Sequence, residues 1–158
     1  MRRIYAIDFA IVLFSLAFMV FLFGWAQPLV VGPRDGFETT RSVLFSVERA
    51  DKVLIDDNPD FTSPMVLDVR KAHKVELKPG VYFWKAEGVF GSDVRRLTIK
   101  SFVSLEVRPV GNGFEVLNAG NVDLNVLVYD NKTLVKKISL EKGASKTVRG
   151  NKFVGGMK

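Results

Sequence analysis

The chain has 158 residues, of which 47% are hydrophobic, with a formal charge of +6 and no cysteine. That length accommodates one ordinary domain or two small ones. The missing cysteines exclude disulfides, thiol catalysis and cysteine-ligated zinc, so a domain outside the cytoplasm must rely on its core alone, which fits a prokaryotic envelope better than an animal cell surface.

The first element in the chain is apolar. From Phe9 to Ala26 the sequence reads FAIVLFSLAFMVFLFGWA, with Ser15 as its only polar side chain. A helix of this length is about 27 Å long, close to the roughly 30 Å hydrocarbon core of a bilayer. Arg2 and Arg3 precede it and predict a cytoplasmic N-terminus by the positive-inside bias. Tyr5 and Trp25 fall where two interfacial aromatic belts would sit, and Asp8 lies at the cytoplasmic interface. Pro28 and Gly32-Pro33 end the helix. Residues 1–31 are therefore expected to be a signal anchor, spanning the membrane between Phe9 and Trp25, with residues 32–41 as a linker. Gly24-Trp25-Ala26 before Gln27 also resembles a small-x-small cleavage site, which makes a cleaved secretory signal the competing reading. The apolar run exceeds the usual signal length and favours the retained anchor. A pilin-type leader is a third option, weakened because no basic-glycine site with a following acid is present. Both leading readings place the rest of the chain outside the cytoplasm.

Beyond the linker the chain reads as short strands. Ser42–Val47, Lys52–Ile55, Met65–Val69, Lys74–Leu77, Val81–Ala86 and Val94–Ile99 are β-type runs broken by turn signals. No window outside the apolar segment has a helical period of useful length. In an extended strand Tyr82, Trp84 and Ala86 share one face, and Phe83, Lys85 and Glu87 share the other. The second set carries both charges, so the first is expected to face the core. Phe83 is then an aromatic residue on the outward face, beside Lys85. It is expected to be covered by a second module, with a partner contact involving Phe83 and Lys85 as the alternative.

Three stretches carry a family resemblance: ADKVLIDDNPDFTSPMVLDV from Ala50, KVELKPGVYFWKAEG from Lys74 and SDVRRLTI from Ser92. Together they resemble a fibronectin type III-like module of prokaryotic surface proteins, with its DPDFSSP-like turn, its PG-x-Y-x-W strand and its closing strand. The pattern departs in having Val47 where the family often has Trp, and in a Leu77–Tyr82 spacing one residue short. The resemblance implies an immunoglobulin-like β-sandwich over residues 42–100.

A second unit is expected over residues 101–158, with the pattern VSLEVRP, GFEVLNAGN, VDLNVLVYD, TLVKKISL and a final SKTV. Val122, Leu124, Val126 and Val128 form one apolar face, and Asp130-Asn131-Lys132 makes a tight hairpin turn. The NAGN turn with LEKGASKTV resembles small immunoglobulin-like modules of archaeal and bacterial surface proteins. So short a unit buries little apolar surface and is expected to pack against the first or against a partner. It is also basic: residues 132–158 hold eight Lys or Arg against one acid, Glu141.

Nothing in the sequence assembles a catalytic site, and no enzyme activity or cofactor is expected. His73 is the only histidine and is read as a surface residue. Asp56-Asp57-Asn58-Pro59-Asp60 has oxygen ligands suited to a hard cation, but its spacing matches no calcium loop and it is read as a turn, so no metal is expected. Asn131-Lys132-Thr133 is an N-glycosylation sequon at a hairpin tip. The basic C-terminal region suits an anionic partner such as a phospholipid surface or cell-wall polymer. The expected compartment argues against nucleic acid. The expected function is that of a non-enzymatic, single-pass membrane protein whose extracytoplasmic modules bind a protein or surface polymer. The alternative is a structural or stator subunit of a membrane machine or surface filament, an analogy of architecture alone.

Overall fold

Helix α1 spans Arg2–Ala26 and is followed only by strands among the residues that the computed structural model describes, 2–69 and 74–158. His73 lies outside the described residues. The strands begin with β1 (Leu29–Gly32), β2 (Phe37–Thr39), β3 (Val43–Leu44), β4 (Ser46–Glu48), β5 (Lys52–Asp56) and β6 (Met65–Asp68). They continue with β7 (Lys74–Val75), β8 (Gly80–Glu87), β9 (Arg95–Ile99), β10 (Leu105–Val110) and β11 (Gly113–Asn118). The last four are β12 (Leu124–Asp130), β13 (Thr133–Leu140), β14 (Ser145–Val148) and β15 (Lys152–Met157). The chain is thus one apolar helix followed by an all-β region.

α1 stops at Ala26, two residues before Pro28, because proline lacks an amide donor and drives its predecessor out of helical geometry. The region expected as a linker is partly extended: β2 lies inside it, and β1 pairs antiparallel with β4 immediately after the helix. The short runs expected between Ser42 and Ile99 correspond to β3–β9 with shifts of one or two residues at most ends. The C-terminal strand β15 is an addition, in a stretch whose paired Gly155 and Gly156 weaken any strand pattern.

The described residues form two compact units. The first comprises Met1–Asp35, Leu44–Lys74 and Tyr82–Arg96. In it β5 pairs antiparallel with β6 on one side and β8 on the other. The register sets Val53 opposite Ala86 and Ile55 opposite Trp84, and all four are buried. Trp84 has no exposed surface; Phe45 meets its ring edge-on at 5.0 Å, and the Arg95 guanidinium lies 5.8 Å from its centroid. The side-chain alternation expected for β8 is therefore the one observed. Tyr82 is half-buried, and desolvation raises its pKa above the ordinary phenol value.

The second unit comprises Gly36–Val43, Val75–Val81 and Leu97–Lys158. One sheet has the order β10-β11-β14 and another β13-β12-β15, all pairs antiparallel. Both supply one core: Val116 and Val148 from the first, and Leu124, Val126, Val128, Ile138 and Leu140 from the second. In β12 the period-2 alternation is fully expressed, with Leu124, Val126 and Val128 inward and Asn125, Leu127 and Tyr129 half-buried on the other face. Val122 packs against this core from just outside the strand. β2 runs parallel to β9 within the same unit, with Phe37 opposite Leu97.

Trp84→Ala should destabilise the protein by about 3–5 kcal/mol in denaturant melts, the range for a buried aromatic. Lys85→Ala, one residue along, removes only an ion pair and a cation–π contact and should cost about 1 kcal/mol or less. Comparable losses for the two would overturn the register of β8.

Candidate membrane and interaction surfaces

Ile7–Ala26 is long and apolar enough to cross a membrane, and none of it is buried by the rest of the protein. Phe9 and Trp25, the expected limits of the span, are both exposed. Along the helix Phe14 and Phe18 stack at one-turn spacing, as do Phe21 and Trp25 in a tilted arrangement. The last turn of α1 contains no basic residue of its own. Arg49 takes that place from the turn after β4: its Nη1 donates to the Trp25 carbonyl at 3.0 Å, and its guanidinium lies 5.7 Å from the Trp25 ring. A cation at the C-terminal carbonyls complements the helix dipole. The two partners are 24 positions apart in the chain, so no local sequence signal pointed to Arg49.

The Asp56 loop is organised by its own side chains. Asp56 accepts from the backbone amides of Asn58 at 3.3 Å and Ser63 at 2.9 Å, one on each carboxylate oxygen. Asn58 Oδ1 accepts from the Asp60 amide at 2.9 Å, and the Asn58 carbonyl accepts from the Phe61 amide at 3.1 Å. The acidic run thus forms an Asx-type turn in which the first carboxylate spends its lone pairs on backbone donors. No group of three or more His, Asp or Glu able to hold a metal gathers among the described residues.

Phe61, at the tip of this loop, sits under the ammonium of Lys85 at 4.8 Å from the ring centroid. Lys85 also pairs with Glu87 at 3.2 Å, and Glu87 pairs with Lys52 at 3.1 Å. Lys85, read from sequence as a contact residue, is therefore held by internal partners. Phe83 beside it is half-buried. The hydrogen bond from Lys52, reinforced by Lys85, holds the Glu87 carboxyl below its ordinary pKa.

Asn131 occupies a two-residue hairpin tip between β12 and β13, closed by Asp130 opposite Thr133. Asn131 and Lys132 both have positive φ, at 46° and 71°, the geometry of a type I′ turn. Its side chain is exposed, and its Oδ1 accepts from Asn151 Nδ2 at 3.2 Å. The basic residues of the C-terminal region are mostly exposed, with Lys142 engaged by Glu76. Along β13 the exposed apolar pair Leu134 and Val135 directly precedes Lys136 and Lys137.

The NAGN turn is a densely hydrogen-bonded cluster of the second unit. Asn118 is wholly buried, yet its Nδ2 has Val122, Leu140 and Glu141 carbonyls within 2.8–3.2 Å, and its Oδ1 accepts from the Gly120 amide at 3.0 Å. Asn121 accepts from the Phe102 amide and donates to the Thr40 and Lys100 carbonyls. Gly120 is required by close approach, since a Cβ there would run into the Phe102 carbonyl oxygen. These three residues tie the loop before β12 to the turn between β13 and β14 and to the chain before β10.

No protein-family model matches this chain, and no curated protein matches it in sequence.

The backbone amide of Ser63, with that of Asn58, lowers the pKa of Asp56 against the opposing effect of burial. A carboxyl whose folded pKa is depressed stabilises the fold above the ordinary carboxylate range, and the contribution is lost as pH falls through the folded value. Asp56→Asn should therefore lower the melting temperature at neutral pH, and its deficit against the wild type should shrink toward about pH 3. A deficit that stays constant with pH would show that the loop does not depend on the carboxylate charge.

Proposed function

We propose that the chain is a single-pass membrane protein whose β units lie outside the cytoplasm and bind another protein or an envelope polymer. The observation that carries this reading is α1: twenty successive apolar-rich residues, none of them buried, running within two residues into the strand framework. Arg2 and Arg3 before the span support a cytoplasmic N-terminus. The turn, the KPGVYFW strand and the register around Trp84 support a fibronectin type III-like module over residues 42–100. Two sheets sharing one core support an immunoglobulin-like sandwich for the C-terminal module. The interaction role rests on exposed Leu134 and Val135 beside Lys136 and Lys137, an apolar and cationic edge suited to an acidic partner.

Protease added to intact spheroplasts should digest the β region and leave a fragment containing α1. A β region that survives until the cells are lysed would contradict the orientation. Extraction in mild detergent should then yield the protein with substoichiometric or no companions; a stoichiometric complex that persists through purification would favour the machine-subunit alternative.

A further inference from the structure

The turn between β8 and β9 presents apolar side chains at the surface. It reads Glu87-Gly88-Val89-Phe90-Gly91, an apolar pair between two glycines. Val89 is 80% exposed and Phe90 39% exposed. The turn is tightly closed: the Gly88 amide donates to the Phe90 carbonyl at 3.0 Å, Glu87 and Gly91 form an isolated antiparallel bridge, and the Ser92 amide donates to the Ala86 carbonyl at 2.8 Å. Its position is set by Gly88, where a Cβ would come within 2.8 Å of the Arg49 carbonyl oxygen, so the turn lies directly on the residue that holds the end of α1.

The ring of Phe90 consequently meets the ring of Phe23, with centroids 5.5 Å apart. Phe23 lies three residues before the end of the apolar helix, about 4–5 Å inside it at 1.5 Å per residue. A side chain in contact with Phe23 stands at the depth where hydrocarbon gives way to headgroups. Val89, adjacent to Phe90 and without protein cover, would meet the same layer. Trp25 and the Arg49 guanidinium beside its ring sit at the level that aromatic and cationic anchors occupy at membrane interfaces.

We propose that Val89 and Phe90 insert into the outer interfacial layer of the bilayer, as a second membrane contact that holds the first β unit against the surface. The inference rests on α1 being a membrane span. Its occupant is lipid because the turn is continuous, through Phe23, with the surface that the span presents to the bilayer.

The absence of cysteine allows single-cysteine labelling of the full-length chain. Three variants carry an environment-sensitive nitrobenzoxadiazole label in phosphatidylcholine–phosphatidylglycerol vesicles: Val89→Cys, Leu16→Cys at the middle of the span, and Asp60→Cys. Asp60 is exposed in the β5–β6 loop, which joins β5 at Asp56, opposite Phe83 and four residues along β8 from Glu87. That is about 13 Å along the strand from the turn. The Val89 label should emit at shorter wavelength than the Asp60 label and be quenched several-fold more by lipids with a nitroxide near the headgroup. The Leu16 label should be quenched best by a nitroxide deep in the acyl chain. A Leu16 label that is quenched, with Val89 as aqueous as Asp60, would overturn the insertion and leave the span intact. If neither Leu16 nor Val89 is quenched, both readings fall.

Discussion

The uncovered apolar surface of α1 is the constraint on which the rest of the molecule depends. Apolar area facing water costs about 25 cal/mol per Å², and none of the twenty consecutive residues Ile7–Ala26 is buried by the protein. The helix satisfies its own backbone hydrogen bonds, so its stability requires only an apolar surrounding, and a bilayer supplies one of the right thickness. On the proposed reading of α1 as a span, β1 begins at the membrane surface, because only two residues separate it from Ala26. Arg49 at the Trp25 carbonyl and Gly88 against Arg49 then bring the β8–β9 turn down to the same level.

Each β unit solves the problem of folding without disulfides in its own way. The first buries Trp84, Phe45, Val53 and Ile55 around β5, a strand buried from Val53 to Asp56, and closes one end of it with the Asp56 loop. The second has a core of small β-branched and leucine side chains and adds a buried asparagine whose polar atoms are all used. A buried amide of this kind is tolerated because it is satisfied, and it fixes one arrangement of the loops that an apolar residue would leave free. Replacing Asn118 by an apolar residue would leave the Gly120 amide and these carbonyls without their partner.

Much of this was legible from local patterns. The apolar helix follows from eighteen residues without a charge, the faces of β8 and β12 follow from period-2 alternation, and the Asn131 tip follows from its turn residues. Features set by distant partners were not legible. Arg49 meets Trp25, Asn121 meets Thr40, and Phe90 meets Phe23 across loops whose closure leaves no spacing signal. Lys85 looked outward by alternation, and it does lie on the face of β8 away from Trp84, but Phe61 gives it a partner that strand periodicity cannot show. β15 was hidden by its paired glycines, which carry no side chain to show an alternating pattern.

The central claim is that α1 remains attached and embedded in lipid. Its most direct test is the intact mass of the protein recovered from membranes washed at alkaline pH. The account predicts a chain that still carries residues 2–26, retained in the membrane pellet and released by detergent. A chain beginning at Gln27, recovered in the wash, would contradict it.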